Sequence, residues 1–269
     1  MMEATTANPT LPEPSVSERP ARDLNGWAML GVAVILLLAG TALVAGGVAT
    51  LEAPGIAMMA AGALAGLAAL VLAGGLTFVA PNEARVLQLV GAAYSGTVRR
   101  DGLRWVNPLT VRRRVSTRIR NHETGLAKVN DLDGNPIEIS AVVVWQVEDT
   151  ARACFAVDDF VEFVAFQTEA AVRHIAGSFP YDAADRVSLR ENADEITGRL
   201  SEEIGARVAS AGVRIIESRI NRLAYAPEIA QSMLRRQQAG AVVAARQRIV
   251  EGAVGMVELA LAKLEEQHV

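Results

Sequence analysis

Residues Trp27–Leu51 read WAMLGVAVILLLAGTALVAGGVATL, and residues Gly55–Ala80 read GIAMMAAGALAGLAALVLAGGLTFVA. The first run has 25 residues and the second 26, and neither carries a charge. Only Glu52, Ala53 and Pro54 separate them. A bilayer core of about 30 Å needs about 20 helical residues to cross, so each run is long enough to span. The break leaves room for a tight turn and nothing more. The pair reads as a transmembrane helical hairpin over residues 25–80, which ties the chain after Pro81 to a lipid surface. A cleaved signal peptide is disfavoured, because the first run exceeds a typical signal core and a second span follows at once.

The arginines set the orientation. Arg19 and Arg22 precede the first span, and Arg85, Arg99, Arg100, Arg104, Arg112, Arg113, Arg114, Arg118 and Arg120 follow the second. The connecting loop has none. Lys and Arg are retained on the cytoplasmic side, so the expectation is a multi-pass protein of the cell (inner) membrane with both termini cytoplasmic and Glu52 outside. Gly62-Ala-Leu-Ala-Gly66 has a spacing of small residues that lets helix backbones approach closely. Gly62 and Gly66 could pack the two spans together or pack one subunit on another. Neither span holds an acid, base or histidine, groups that an ion or proton pathway usually needs. That speaks against a transporter or pump.

The chain has 269 residues; outside the hairpin and a short tail roughly 190 remain, enough for one or two small domains. The net charge of −4 is mild, but eight arginines and one acid, Asp101, lie between Arg99 and Arg120. A basic juxtamembrane segment can attract anionic lipid at about 1 kcal/mol per residue. Arg112, Arg113 and Arg114 are the headgroup candidates. The alternative is that they are solvated strand positions and topology signals. Cys154 is the only cysteine, so no intrachain disulfide is possible. Residues 1–24 contain Pro9, Pro12, Pro14 and Pro20 with few large apolar side chains, which predicts a disordered cytoplasmic tail.

Beyond the hairpin, residues 81–225 alternate between strand and helix periods. Glu83–Val90 and Tyr94–Arg99 read as paired strands, and Gly102–Pro108 as a loop anchored by Trp105. Val115–Asn121 and Thr124–Val129 read as extended. Ile137, Ile139, Ala141, Val143, Trp145 and Val147 fall on one face at period two, and Asp133-Gly134 is a hairpin signal before them. Asp158–Gly177 reads as a helix. Ser188-Leu-Arg-Glu191 has the capping-box pattern, followed by Ile196, Leu200, Ile204 and Val208, with Gly212 as the stop. Val213–Leu223 returns to strand. Pro227 opens a last helix, so residues 226–269 form a separate segment. Within it Val250, Val254, Val257, Leu261 and Leu264 are spaced as a heptad seam. The seam predicts association with copies of itself, although one amphipathic helix lying on the domain would look similar.

These pieces, in this order, resemble the stomatin–prohibitin–flotillin family (SPFH, or band 7), in a bacterial-type form with an N-terminal double-span hairpin. Val79-Ala-Pro-Asn-Glu83 followed by Val86 looks like the family's first strand. Gly96-Thr-Val-Arg-Arg-Asp-Gly102-Leu-Arg-Trp-Val-Asn-Pro108 is similar to its following loop. Asp133-Gly-Asn-Pro-Ile-Glu-Ile-Ser-Ala141 matches its turn and strand. Val147-Glu-Asp149 through Phe155, Ala171-Val-Arg-His174, and Gln237-Gln-Ala239 with Ala245-Arg246 and Ile249-Val-Glu-Gly-Ala253 resemble later motifs. The resemblance implies an α+β fold: an SPFH domain of antiparallel-rich sheet with packed helices between the hairpin and an Ala/Glu-rich C-terminal helix. It also implies a non-enzymatic scaffold that assembles into rings or cages, collects lipids and regulates membrane proteases or channels. The double span differs from a single span or re-entrant wedge, and the last helix is shorter than a flotillin coiled coil.

No catalytic constellation stands out. The acids around Asp131-Leu-Asp133-Gly134 fail the calcium-loop pattern, because Val129 falls at its first position. There is no phosphate-binding loop with lysine and no G-x-S-x-G. His174 reads as a structural histidine and Cys154 as a core residue. No catalytic residue, cofactor, metal or nucleic acid is expected. The leading reading is a homo-oligomeric membrane scaffold that organises microdomains and regulates membrane proteins. The alternatives are a regulatory subunit of a membrane protease or transporter and, remotely, a membrane-anchored enzyme.

Overall fold

Apolar side chains all round make most of each N-terminal run helical in the computed structural model, which describes residues 16–50, 53–91, 94–183 and 186–266. A two-residue strand β1 (Leu24–Asn25) leads into α1 (Gly26–Thr50), and α2 (Ala53–Gly74) returns. Glu52, expected outside the membrane, lies outside the described residues. Both helices are long and apolar enough to cross a bilayer. They pack on each other at their glycines: a Cβ on Gly62 would stand 2.6 Å from the Gly40 carbonyl oxygen, whereas one on Gly66 would meet nothing within 4 Å.

The second apolar run does not stay helical to Ala80. The helix stops at the Gly74-Gly75 pair, and Leu76–Val79, with β-branched Thr77 and Val79 and aromatic Phe78, form strand β2. Next come β3 (Glu83–Leu89), β4 (Tyr94–Val98), β5 (Gly102–Trp105), β6 (Thr110–Ser116), β7 (Arg120–Glu123), β8 (Ala127–Asn130) and β9 (Pro136–Val147). Then follow α3 (Thr150–Phe155), α4 (Phe160–Ser178), α5 (Ala193–Val208), β10 (Val213–Tyr225) and α6 (Pro227–Glu266). The fold is α+β with antiparallel sheets, and β9, α4, α5 and β10 each run through both of two compact units.

The first unit comprises Met1–Thr124, Val142–Ala171 and Thr197–Arg219. It holds the hairpin, a sheet in the order β1-β5-β2 and a sheet in the order β4-β3-β6. Val79, Leu87, Val98 and Val106 form one buried cluster. On β9, Val143, Trp145 and Val147 are buried as the period-two pattern requires. Trp145 meets Phe160 edge-on at 6.2 Å, and Arg120 lies 5.5 Å from each ring centre.

The second unit comprises Gly125–Ala141, Val172–Ile196 and Ile220–Val269. Here β8 pairs antiparallel with the start of β9, register Ala127↔Ile139. Buried Asp131 holds the turn between them: its carboxylate accepts from the Asn135 amide N–H at 2.7 Å, the Asn135 side chain at 3.1 Å and the Tyr181 N–H at 3.1 Å. Ile137, Ile139, Val172, Ile175, Leu189 and Ile196 are buried.

Four readings change. Gly102–Trp105 is a strand rather than a loop, and the strand expected at Val115–Asn121 is Thr110–Ser116. Three consecutive arginines concealed the latter's alternation. At Ser188 the Glu191 N–H donates to Ser188 Oγ, but Asn192 rather than the Glu191 side chain accepts from the Ser188 N–H, and the helix starts at Ala193. The tail was expected to be disordered to Leu24. Residues 16–25 instead lie along β4 and β5, because the polar backbone of this segment finds partners there.

Candidate functional site at the membrane junction

β5 sits between the two ends of the hairpin. On one side it pairs with β1 (Leu24↔Trp105, Asn25↔Arg104), which enters the first span, and on the other with β2 (Leu76↔Trp105 to Val79↔Gly102), which leaves the second. The N-terminal segment and the chain after the hairpin therefore meet at the same end of the two spans.

The last turn of a helix leaves carbonyls without amide partners. At the end of α2 the domain supplies donors. Trp105 Nε1 donates to Leu72 O at 2.8 Å, Arg112 donates to Gly74 O at 2.6 Å and to Leu76 O at 3.0 Å, and the Val106 N–H donates to Gly75 O at 2.9 Å. A guanidinium here also complements the negative end of the helix dipole. Partial burial, and then the nearby charge of Arg85, pull the Arg112 pKa down. The approach is close enough to dictate sequence. A Cβ on Gly75 would lie 2.2 Å from Trp105 Nε1, and one on Gly26 would lie 2.5 Å from the Leu103 backbone. Trp27 and Phe78, one at each foot of the hairpin, are 70% and 63% exposed. Aromatic rings at such positions match the headgroup layer.

The three headgroup candidates are not one patch. Alternation along β6 puts Arg113 on the face opposite Arg112 and Arg114. Arg112 is engaged with the end of α2. Arg114 pairs with buried Glu83, a partner that sequence distance concealed. The Arg113 guanidinium stands 5.9 Å from the Phe155 ring centre. Cys154 is half-buried; burial raises its thiol pKa, with Arg113 opposing, and a raised pKa lowers thiolate reactivity. His174 is exposed on α4. Among the described residues no group of three or more His, Cys, Asp or Glu could hold a metal ion.

The C-terminal helix presents the other candidate surface. From 238 to 263 every described side chain is exposed. Val250, Val254, Val257 and Leu261 of the heptad seam are 51–61% exposed, while the Leu264 side chain lies outside the described residues. Val242, Ile249 and Met256 are exposed as well, at seven-residue steps, about 100° round the helix from the seam. The sequence reading missed this second stripe, although its spacing was visible.

The sequence reading also missed the strap formed by residues 18–25. Its Glu18 carboxylate accepts from Arg99 Nη2 at 2.8 Å and from the Thr150 N–H and hydroxyl, both at 2.8 Å. Asp149-Thr150, a helix-start signal, was the available clue to one half of that contact: Asp149 Oδ1 caps α3 by accepting from the Arg152 N–H at 2.9 Å.

A search of the curated proteins finds no match to this chain. The family model described as SPFH domain / Band 7 family matches residues 77–253, from β2 into α6.

Proposed function

The chain belongs to the SPFH/band 7 family, and from that premise we propose that it is a homo-oligomeric scaffold on the cytoplasmic face of the cell membrane that organises lipid microdomains and regulates membrane proteins. Membrane-associated scaffolding is the family's general character. The observation that carries self-assembly is α6. Its outer half has two apolar stripes with no cover among the described residues, and exposed apolar surface of this extent marks an interaction site. A helix apolar on two faces suits a place between two neighbours, as in a ring, better than a place in an isolated pair. The contact is assigned to Val250, Val254, Val257, Leu261 and Leu264, flanked by Val242, Ile249 and Met256.

Cytoplasmic placement rests on the arginines after the second span and on the strap, which keeps both ends of the hairpin on one side. In a variant lacking Cys154, a cysteine at Glu52 should label from outside intact cells and one at Ser95 should not; the reverse pattern refutes the placement. Self-assembly is tested by electron microscopy of the protein extracted in mild detergent. Particles of many copies support the scaffold. A small stoichiometric complex with a different protein points to a regulatory subunit instead.

A further inference from the structure

The strap is held to the domain in an unusual way. None of residues 16–25 is buried. Its backbone pairs with a single β4 residue: the Thr97 N–H donates to Arg19 O at 2.8 Å, and the Ala21 N–H donates to Thr97 O at 3.0 Å. Pro20, between them, has no N–H to donate. Gly96 makes the approach possible, since a Cβ there would stand 2.7 Å from the Ala21 Cα. The remaining attachment is largely polar. The Arg99 guanidinium grips the Glu18 carboxylate with Nε and Nη2, and Thr150 adds its N–H and its hydroxyl. Tyr94 Oη accepts from the Arg19 N–H at 3.1 Å, and Asp149 accepts from the Glu18 N–H at 3.2 Å.

The receiving surface is more buried than the strap. Thr97 and Thr150 are 4% and 0% exposed, and their hydroxyls are 3.2 Å apart. An open cleft of about 440 Å³ lies beside the strap, bounded by Thr97, Arg99, Arg100 and Glu148 on the domain side. A sheet edge with one fixed guanidinium and a well-packed floor has the parts of a site that binds by strand addition: main-chain bonds give affinity and a side-chain pocket gives selectivity.

We propose that the β4 edge with Arg99 and Thr150 is a peptide-binding site, filled in this structure by the chain's own strap as an intramolecular ligand. The partner it fits is an extended segment running parallel to β4 with a carboxylate two residues ahead of a proline, the pattern of Glu18-Arg19-Pro20. Strap release exposes the site, and strap docking closes it. The inference does not require self-assembly.

The test uses the full chain in detergent micelles and a fluorescent peptide, VSERPARDLN, copied from residues 16–25. Wild type, its site occupied, binds the peptide weakly. Glu18→Lys releases the strap and binds it about tenfold tighter, the scale of losing charge-assisted hydrogen bonds in the competing strap. Adding Arg99→Glu abolishes that binding. The single variant Arg99→Glu, whose own Glu18 is repelled from the site, then binds the peptide whose Glu is replaced by Lys, which separates loss of the site from loss of the fold. In parallel, amide exchange at Ala21 and Thr97 quickens in Glu18→Gln. No gain of peptide binding in Glu18→Lys, or binding indifferent to Arg99, overturns the proposal.

Discussion

Strand β5 and the outer half of α6 are opposite kinds of surface on one chain. β5 has a partner on each edge, and the helix end beside it has its carbonyls met by Trp105 and Arg112. Residues 238–263 of α6 are exposed throughout and carry apolar side chains on two stripes. The first region is completed within the chain. The second leaves its apolar side chains uncovered among the described residues. Substitutions at the junction should therefore change folding, and substitutions on α6 should change company.

The largest effect is expected at Gly75. A Leu there drives its Cβ into Trp105 and the Val106 carbonyl, and overpacking of this kind costs about 1–3 kcal/mol or more. The thermal melt in detergent should fall or disappear. On α6, Gly252 has nothing within 4 Å of its Cβ position, so Gly252→Ala should leave the melt unchanged or raise it by the helix-propensity gain of about 1 kcal/mol. Equal destabilisation at both positions would erase the contrast.

Next in size is Arg112→Gln. It removes charge-assisted bonds to the Gly74 and Leu76 carbonyls, each worth about 1.5–3 kcal/mol when a charge is involved, less where water can substitute. Amide exchange should quicken at the junction while assembly size stays constant. A change of assembly with no change at the junction would reverse the roles given to the two regions.

The difference also explains what could be read in the sequence. The hairpin was plain, because length and unbroken apolarity identify a span without any partner. The period-two face of β9 was plain for a similar reason: one face is buried along its whole length. The end of α2 was not, because Leu76–Val79 are as apolar as the helix before them and only pairing with β5 makes them a strand. Arg114 looked unpartnered because Glu83 is distant in sequence and adjacent across the β3–β6 ladder, where Glu83 faces Ser116. The strap was hidden because a short polar segment interrupted by Pro20 carries no strand signal; its place comes from the groups on β4 and α3 that receive it.

A smaller effect concerns pH. Burial raises the Glu18 pKa, but the bonds from Arg99 and Thr150 outweigh it and hold the carboxyl below its ordinary value. A lowered carboxylate pKa stabilises docking at neutral pH, and that stabilisation is lost as the pH falls through the lowered value. Strap protection should persist from neutrality to below the ordinary glutamate range and disappear at lower pH. Glu18→Gln should flatten the profile. Protection that fails on raising the pH instead would contradict the assignment.

The smallest effect is lipid attraction. Each of Arg112, Arg113 and Arg114 could add about 1 kcal/mol near an anionic surface, reduced here because Arg112 and Arg114 have partners within the chain. In mixed bilayers, enrichment of anionic over neutral lipid around the protein should fall with salt and fall further, by less than about tenfold, when all three become Gln. Enrichment unaffected by the triple change assigns them to the junction and the sheet alone.

The most direct test of the central claim replaces Val254 and Leu261 with Asp in the full chain and measures particle mass in mild detergent. Buried at a contact between copies, two unpaired carboxylates would cost several kcal/mol. The claim predicts that the large assembly falls to small species while the protein stays in the membrane fraction and the melt of its folded domain is unchanged. An assembly of undiminished size would show that α6 is not where the copies meet.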